Sequence, residues 1–294
     1  MFKATVGDVD FGKGPTWDEL PATKREMEDV RSRFLRAFPR AEVTAYSRSK
    51  ASRDAVRSAL SRVDIAHLAT HGFFDEQALS VERKRSTEQL VNWQYAAGQT
   101  TERIGVGSRS PLGYVGLVLA GANSPEAIRK HSGIISGEAI VDLPLEGLRL
   151  CVLSACETGL GEYTSGEGVQ GLQRAFHLAG CPNVVASLWK VGDVSTAVLM
   201  EEFYKRLWDK EKPLSPIEAL REAQLTILRN PDLVLKRHEA MVAELKKQGF
   251  SEKEIASRGF KSDLVALPEG GKVGVLKRSP TQWWAAFALS GVGK

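Results

Sequence analysis

The feature that most constrains the fold is an alternation of short apolar runs with amphipathic segments along the chain. Apolar runs of a few residues bounded by turn residues are typical of buried strands, whereas a 3.6-residue apolar period is typical of helices. Such alternation predicts an α/β fold, in which helices cover a mostly parallel sheet. The predicted strands are residues 2–6, 42–46, 63–70, 114–120, 148–155, 183–188 and 285–289.

Amphipathic segments predict five helices between these strands, at residues 23–37, 51–60, 165–179, 194–210 and 215–228. Gly180 is placed to end the third helix, because glycine readily adopts the left-handed conformation found there. Ser215, Pro216 and Glu218 form a capping box with a first-turn proline. Residues 77–113 and 232–280 do not follow the alternation, so we expect them to be insertions in a single domain spanning residues 1–294.

Composition excludes several classes of function. The net charge of +4 is too small to indicate nucleic-acid binding. Three cysteines are an odd number, which argues against a disulfide framework, and no Cys-x-x-Cys or paired-histidine spacing indicates a metal site. The N-terminus has no signal-peptide pattern, and the apolar stretches are too short to span a membrane. We therefore expect a cytoplasmic protein without cofactor, metal or membrane partner.

Two predicted strands are followed by residues that could form the catalytic site of a cysteine enzyme. His71 and Gly72 follow strand 63–70, and Cys156 follows strand 148–155. Ligands of open parallel sheets bind beyond the carboxyl ends of the strands, so adjacent strands would present both side chains at one crevice. An imidazole stabilises a thiolate nucleophile and protonates a leaving amine. The N–H groups of Gly72 and Cys156 are candidates for an oxyanion hole.

Several motifs resemble those of CHAT domains, which are caspase-like modules related to separase and often attached to tetratricopeptide repeats. Four of them carry most of the resemblance: Ala-Thr-His-Gly-Phe-Phe-Asp at 69–75, Leu-Val-Leu-Ala-Gly-Ala-Asn at 117–123, Leu-Ser-Ala-Cys-Glu-Thr-Gly at 153–159 and Gly-Glu-Gly-Val-Gln-Gly-Leu at 166–172. Further matches lie at 179–182, 187–193 and 284–287. The resemblance covers nearly the whole chain.

This resemblance implies a caspase-like, three-layer α/β/α fold with a mostly parallel central sheet. It also implies a cysteine endopeptidase that cleaves a protein substrate, with His71 and Cys156 as the catalytic dyad and Gly72 as an oxyanion donor. Because CHAT domains commonly follow a sensing region, it further implies a regulatory partner or a tetratricopeptide-type sensing region, and latency of the chain alone.

The resemblance suggests two residues for the S1 substrate pocket, Ser154 and Asp193. Caspases have Gln-Ala-Cys at the nucleophile, and Ser154 stands where that glutamine would be, so the caspase preference for aspartate does not transfer. Asp193 stands in a Leu-Trp-x-Val-x-Asp context, in which the separase aspartate lines S1 and favours a basic P1 residue. The alternative is that Asp193 only caps the helix that follows.

Other interpretations remain beside the peptidase. A non-proteolytic interaction module would keep the same fold. Gly166, Gly168 and Gly171 match the dinucleotide fingerprint, but no strand directly precedes them and Glu167 would repel phosphate, so nucleotide binding is disfavoured. The remaining candidates have structural interpretations: Cys151 and Cys181 as buried residues, His67 as a hydrogen-bonded core histidine, and His177 as a partner of carbonyls at its helix end.

Overall fold

The computed structural model describes residues 17, 21–75, 81, 110–124, 133–154, 156–157, 167–189, 191–247, 249–255 and 277–294. The strand expected at 2–6 and most of the expected insertion at 77–113 lie outside these residues. The second expected insertion is described at 232–247, 249–255 and 277–280. Within the described ranges, no helix has the length and apolar character needed to cross a bilayer.

All five predicted helices are confirmed, with ends that shift by at most three residues. The helices are α1 Pro21–Ala37, α2 Arg53–Leu60, α3 Gly137–Val141, α4 Glu167–Leu178, α5 Asp193–Leu207, α6 Pro216–Arg229, α7 Asp232–Lys247, α8 Glu252–Ile255 and α9 Thr281–Trp284. The strands are β1 Ile65–Leu68, β2 His71–Phe74, β3 Val115–Val118, β4 Ile134–Ser136, β5 Leu150–Leu153, β6 Cys156–Glu157, β7 Asn183–Ser187 and β8 Phe287–Gly291.

The strands form two hydrogen-bonded groups. They are linked because two neighbouring strands of the first group continue, after a short break, as two neighbouring strands of the second. One group has the order β1-β5-β7-β8, and the other has the order β4-β3-β2-β6. β1, β5 and β7 are parallel and β8 is antiparallel to β7. β2 follows β1 after two residues and β6 follows β5 after two residues. The β1–β5 pair and the β2–β6 pair both align residues that are 85 positions apart. The same strand register therefore continues from the first group into the second.

Helices cover both faces of the mostly parallel group, which confirms the predicted α/β/α layers. Side chains of a strand alternate between the two faces. In β5, Leu150 and Val152 belong to a core with α5, α6 and α7. Cys151 and Leu153 belong to a second core with α2, α3 and α4. Burial on both faces explains why β5 reads as a continuous apolar run in the sequence.

Some predicted strands differ from the observed ones. Residues 42–46 alternate in polarity but are irregular and mostly exposed, so the predicted strand there is wrong. Conversely, β2, β4 and β6 were not predicted as separate strands. β6 has two residues and β4 has three, so neither is long enough to produce a periodic pattern.

Gly180 ends α4 as predicted. Its φ of +107° lies in the left-handed region that favours glycine. The Gly180 N–H donates to the His177 carbonyl at 3.0 Å, and the Cys181 N–H donates to the Phe176 carbonyl at 2.9 Å. These two bonds form a Schellman motif, which satisfies carbonyls that the helix leaves open.

Candidate active site

The two candidate catalytic residues are partners in one backbone ladder. His71 is the first residue of β2 and pairs in parallel register with Cys156, the first residue of β6. Neighbouring strands in a sheet lie about 4.8 Å apart. The fold therefore brings together two residues that are 85 positions apart in the chain. The His71 side chain is buried, with 8% of its surface exposed.

The interruption between β1 and β2 positions His71. The Thr70 hydroxyl donates a hydrogen bond to the Val118 carbonyl, and Val118 is also the antiparallel partner of His71 in β3. β2 is thus held between β3 on one side and β6 on the other. The strand predicted at 63–70 ends earlier, at Leu68, and His71 begins a second strand in line with the first.

Gly72 lies next to His71 inside β2, opposite Glu157 of β6. The Asp75 N–H donates to the Tyr114 carbonyl at 2.8 Å. Because hydrogen-bonded positions alternate along an antiparallel pair, His71 and Phe73 direct their backbone groups toward β3. The Gly72 N–H consequently faces the β6 side, where the Cys156 backbone lies. Its role as an oxyanion donor stays a prediction.

The two S1 candidates have different positions. Ser154 directly follows β5, two residues before Cys156, and is 7% exposed. Asp193 is the first residue of α5, and the N-cap is Gly192. The helix therefore begins one residue earlier than the capping interpretation of Asp193 requires. The Asp193 side chain lies outside the described part of the chain, and both S1 roles remain predictions.

Trp17 and Asn123 were not predicted as site residues, yet Trp17 packs against His71 and is hydrogen-bonded to Asn123. The Trp17 ring centroid is 5.5 Å from that of His71 and 6.1 Å from that of Phe73. The Trp17 N–H donates to Asn123 Oδ1 at 2.8 Å, and Asn123 Nδ2 donates to the Trp17 carbonyl at 2.8 Å. Trp17, His71 and Asn123 line the same open groove. Asn123 ends one of the family-like motifs, but nothing in that motif predicts a contact with Trp17.

His67 is the hydrogen-bonded core histidine that the sequence predicts. Its Nδ1 lies 2.9 Å from the Tyr204 hydroxyl and its Nε2 lies 3.0 Å from Glu26 Oε1. Burial, followed by the proximity of Glu26 and Cys151, raises the pKa of Tyr204 well above its usual value. These contacts connect α1, β1 and α5, which indicates a structural role.

His177 also has a structural environment. Its Nδ1 lies 2.8 Å from the Cys181 carbonyl, and its Nε2 lies 2.8 Å from Ser290 Oγ in β8. The predicted carbonyl partner is present, but it belongs to Cys181, three residues beyond the last helical residue, and not to the last turn of α4. The additional bond to Ser290 ties the end of α4 to the edge strand, a contact that joins residues 113 positions apart.

Two of the three thiols are buried in the core. Cys151 is 0% exposed and Cys181 is 1% exposed. Burial raises the pKa of Cys151 well above its usual value, and burial also raises the pKa of Cys181 despite opposing backbone hydrogen bonds. Both thiols therefore stay protonated at neutral pH, as the structural interpretation predicts. A protonated, enclosed thiol is a poor nucleophile.

Gly171 of the dinucleotide-like motif has a packing role. A Cβ atom at this position would lie 2.9 Å from Val115 Cγ1, so glycine allows α4 to approach β3 closely. Within the described ranges, no group of three or more His, Cys, Asp and Glu side chains is arranged to hold a metal ion.

Comparison with known proteins gives one family. The model of the CHAT domain matches residues 4–292. Tetratricopeptide repeat protein 28 of Mus musculus is 27% identical over 227 residues, and its Homo sapiens counterpart is 26% identical over 227 residues. Each alignment covers 71% of this chain and 8% of the relative. No solved structure matches significantly. With a family match over nearly the whole length and a caspase-like α/β/α fold, the chain belongs to the CHAT domain family.

Proposed function

We propose that this chain is a cysteine endopeptidase with His71 and Cys156 as its catalytic dyad. The observation that carries the proposal is the in-register backbone pairing of these two residues. Membership of a caspase-like family supports the same reaction class. The buried state of the other two cysteines supports Cys156 as the nucleophile, because neither Cys151 nor Cys181 is accessible to a substrate.

In the proposed reaction, the Cys156 thiolate attacks the carbonyl carbon of the scissile peptide bond. The N–H groups of Gly72 and Cys156 hold the resulting oxyanion. The C–N bond then breaks, and the imidazolium of His71 protonates the departing amine. Water attacks the thioester, releases the second product and restores the thiol. Because the Gly72 N–H faces the backbone of β6, the oxygen of the substrate carbonyl has to compete with β6 for this donor in the first step.

A labelling experiment tests the dyad without a known substrate. Iodoacetamide at pH 7 is expected to alkylate Cys156 at least tenfold faster than Cys151 or Cys181, since only a thiolate reacts rapidly. Peptide mapping by mass spectrometry measures all three rates in one sample. His71→Ala is expected to slow alkylation of Cys156 at least tenfold, whereas His238→Ala on α7 serves as the matched control.

Proteolysis tests the reaction itself. Cleavage of a peptide library by the parent chain, with an activating partner where one is required, is expected to cease in Cys156→Ala. Equal alkylation of all three thiols, or cleavage that persists in Cys156→Ala, would contradict the proposed dyad. Equal alkylation of the three thiols would favour the non-proteolytic interaction module.

The same library tests the S1 pocket. If Asp193 lines S1, the parent chain prefers a basic P1 residue and Asp193→Ala loses that preference, because the carboxylate supplies the complementary charge. Ser154→Ala is the companion variant for the second S1 candidate. A parent chain without a basic preference would rule out this role for Asp193.

Regulation by a tetratricopeptide-type region completes the proposal. The relatives are named for tetratricopeptide repeats, and this chain corresponds to a small part of their length. We expect the isolated chain to cleave its native substrate slowly and to be activated by the region or partner that senses the signal. Full activity of the isolated chain on that substrate would contradict this regulation.

A further inference from the structure

Asn123 binds the backbone of Trp17 in the way that a neighbouring strand would. One amide side chain accepts from the Trp17 N–H and donates to the Trp17 carbonyl, both at 2.8 Å. The two bonds involve only main-chain atoms of residue 17, so they are available to an extended peptide of any sequence. This geometry is independent of the identity of the bound side chain.

The side chain of the bound residue lies on an aromatic surface. Trp17 packs against His71 with an interplanar angle of 41° and against Phe73 with an angle of 49°. Centroid distances of 5.5 and 6.1 Å fall within the range of favourable aromatic pairs. An aromatic side chain therefore gains energy here that a small side chain does not.

Contacts that do not involve Trp17 hold the turn that carries Asn123. The Ala122 N–H donates to the Leu119 carbonyl at 3.2 Å, and the Ser124 N–H donates to the Gly121 carbonyl at 2.9 Å. Gly121 has a φ of +92°, which other residues adopt only at a cost. Gly133 lies so close that an added Cβ would be 2.2 Å from the Ala122 nitrogen. A preformed turn lowers the entropy lost on binding.

We propose that Asn123, Phe73 and the ring of His71 form a substrate subsite for an extended peptide with an aromatic side chain, and that Trp17 of the same chain occupies it. This inference rests on the proposed peptidase function, because it identifies His71 as part of the dyad. A substrate peptide has to displace Trp17 before its own backbone reaches Asn123. The contact thus restrains the activity of the isolated chain and sets an aromatic preference at this subsite.

Fluorine NMR tests the contact without reference to catalysis. Labelling with 5-fluorotryptophan gives one resonance for each of the six tryptophans, and Trp17→Phe identifies the resonance of residue 17. Asn123→Asp keeps the size of the side chain but removes the Nδ2 donor. It also places a carboxylate oxygen opposite the Trp17 carbonyl. The Trp17 resonance is expected to move to the position of a solvent-exposed indole, while the other five stay in place.

An unchanged Trp17 resonance in Asn123→Asp would overturn the inference. The other five resonances report whether the fold is intact. Gly147→Ala is the matched control, because its Cβ would meet nothing within 4 Å and it should leave all six resonances unchanged.

Labelling by an electrophilic peptide tests the link to the active site. Trp17→Ala is expected to accelerate labelling of Cys156 at least fivefold, and a peptide with one tryptophan should react faster than its alanine counterpart. Phe73→Ala in the Trp17→Ala background should remove that difference. If Cys156 reacts but Trp17→Ala brings no acceleration, the subsite is wrong and the peptidase stands. If Cys156 reacts in no variant, the proposed function fails, and the subsite proposal fails with it even if NMR places Trp17 on Asn123.

Discussion

At the scale of single residues, a buried polar cluster joins α1 to the sheet. Glu26, His67 and Tyr204 are hydrogen-bonded in a row, and the Tyr204 ring also stacks on Trp208 at 4.2 Å. Buried polar groups of this kind stabilise a fold only while every partner is present. The cluster therefore gives a sensitive test of the packing between α1, β1 and α5.

Tyr204→Phe is expected to lower the free energy of unfolding by about 1–3 kcal/mol, because His67 Nδ1 loses its partner while the ring packing is retained. Urea denaturation followed by circular dichroism measures the change. Tyr46→Phe is the matched control, since Tyr46 is 37% exposed and a surface change of this kind costs less than about 0.5 kcal/mol. Equal effects of the two variants would contradict the cluster.

The buried thiol of Cys151 makes the free energy of unfolding depend on pH in the alkaline range. Because burial raises its pKa well above the usual value of 9.0, the unfolded chain loses the thiol proton at lower pH than the folded chain. This contribution is fully present below about pH 9 and is lost as the pH rises above it. Between pH 9 and 10, the unfolding free energy of the parent should fall more steeply than that of Cys151→Ala, by up to about 1.4 kcal/mol per pH unit. If the unfolding free energies of the parent and of Cys151→Ala change in parallel with pH, the raised pKa of Cys151 is contradicted.

Sequence reasoning at the residue level predicted that His71 and Cys156 lie together, as their strand pairing shows, but it missed the contact between Trp17 and Asn123. His71 and Cys156 each follow an apolar run, and such a run can be recognised from the local sequence alone. The second pair is 106 positions apart, and its contact depends on the tertiary path of the chain. An asparagine in a turn and a tryptophan near the N-terminus carry no pattern that predicts such a contact.

At the scale of elements, helix ends were easier to predict than strand partners. Gly180 and the Ser215–Glu218 capping box act through bonds within a few residues, so the sequence around them contains the whole interaction. A strand requires a partner elsewhere in the chain. Residues 42–46 alternate in polarity without a partner, whereas His71–Phe74 form a strand because β3 and β6 flank them.

Gly180→Ala tests the end of α4. A left-handed φ strains alanine, and the added Cβ would lie 2.9 Å from the Glu146 nitrogen. We expect a loss of about 1–3 kcal/mol in the free energy of unfolding, measured by urea denaturation. Gly147→Ala on the facing turn has open space and should change stability by less than about 0.5 kcal/mol. A neutral Gly180→Ala would contradict the Schellman assignment.

At the scale of the whole molecule, two cores share one sheet. Ile227 belongs to the core with α5–α7, and Ile140 belongs to the core with α2–α4. Since β5 and β7 contribute side chains to both, unfolding of one face exposes the sheet to water on that face. We therefore expect both cores to unfold in one cooperative transition.

Ile140→Val and Ile227→Val test this cooperativity. Both side chains are fully buried, so each variant is expected to lose about 0.5–1.5 kcal/mol. The double variant should lose the sum within about 0.5 kcal/mol and keep a single transition by fluorescence and circular dichroism. Separate transitions by the two probes would show that the faces unfold independently.

The constant register of the two ladders has a consequence for how the site tolerates change. His71 and Cys156 are aligned by the same strand pairing that aligns Ile65 with Leu150. The number of residues connecting the two strands does not enter that alignment. An insertion or deletion between residues 76 and 109 would therefore change the number of positions between His71 and Cys156 in the sequence while their pairing across the sheet stays the same.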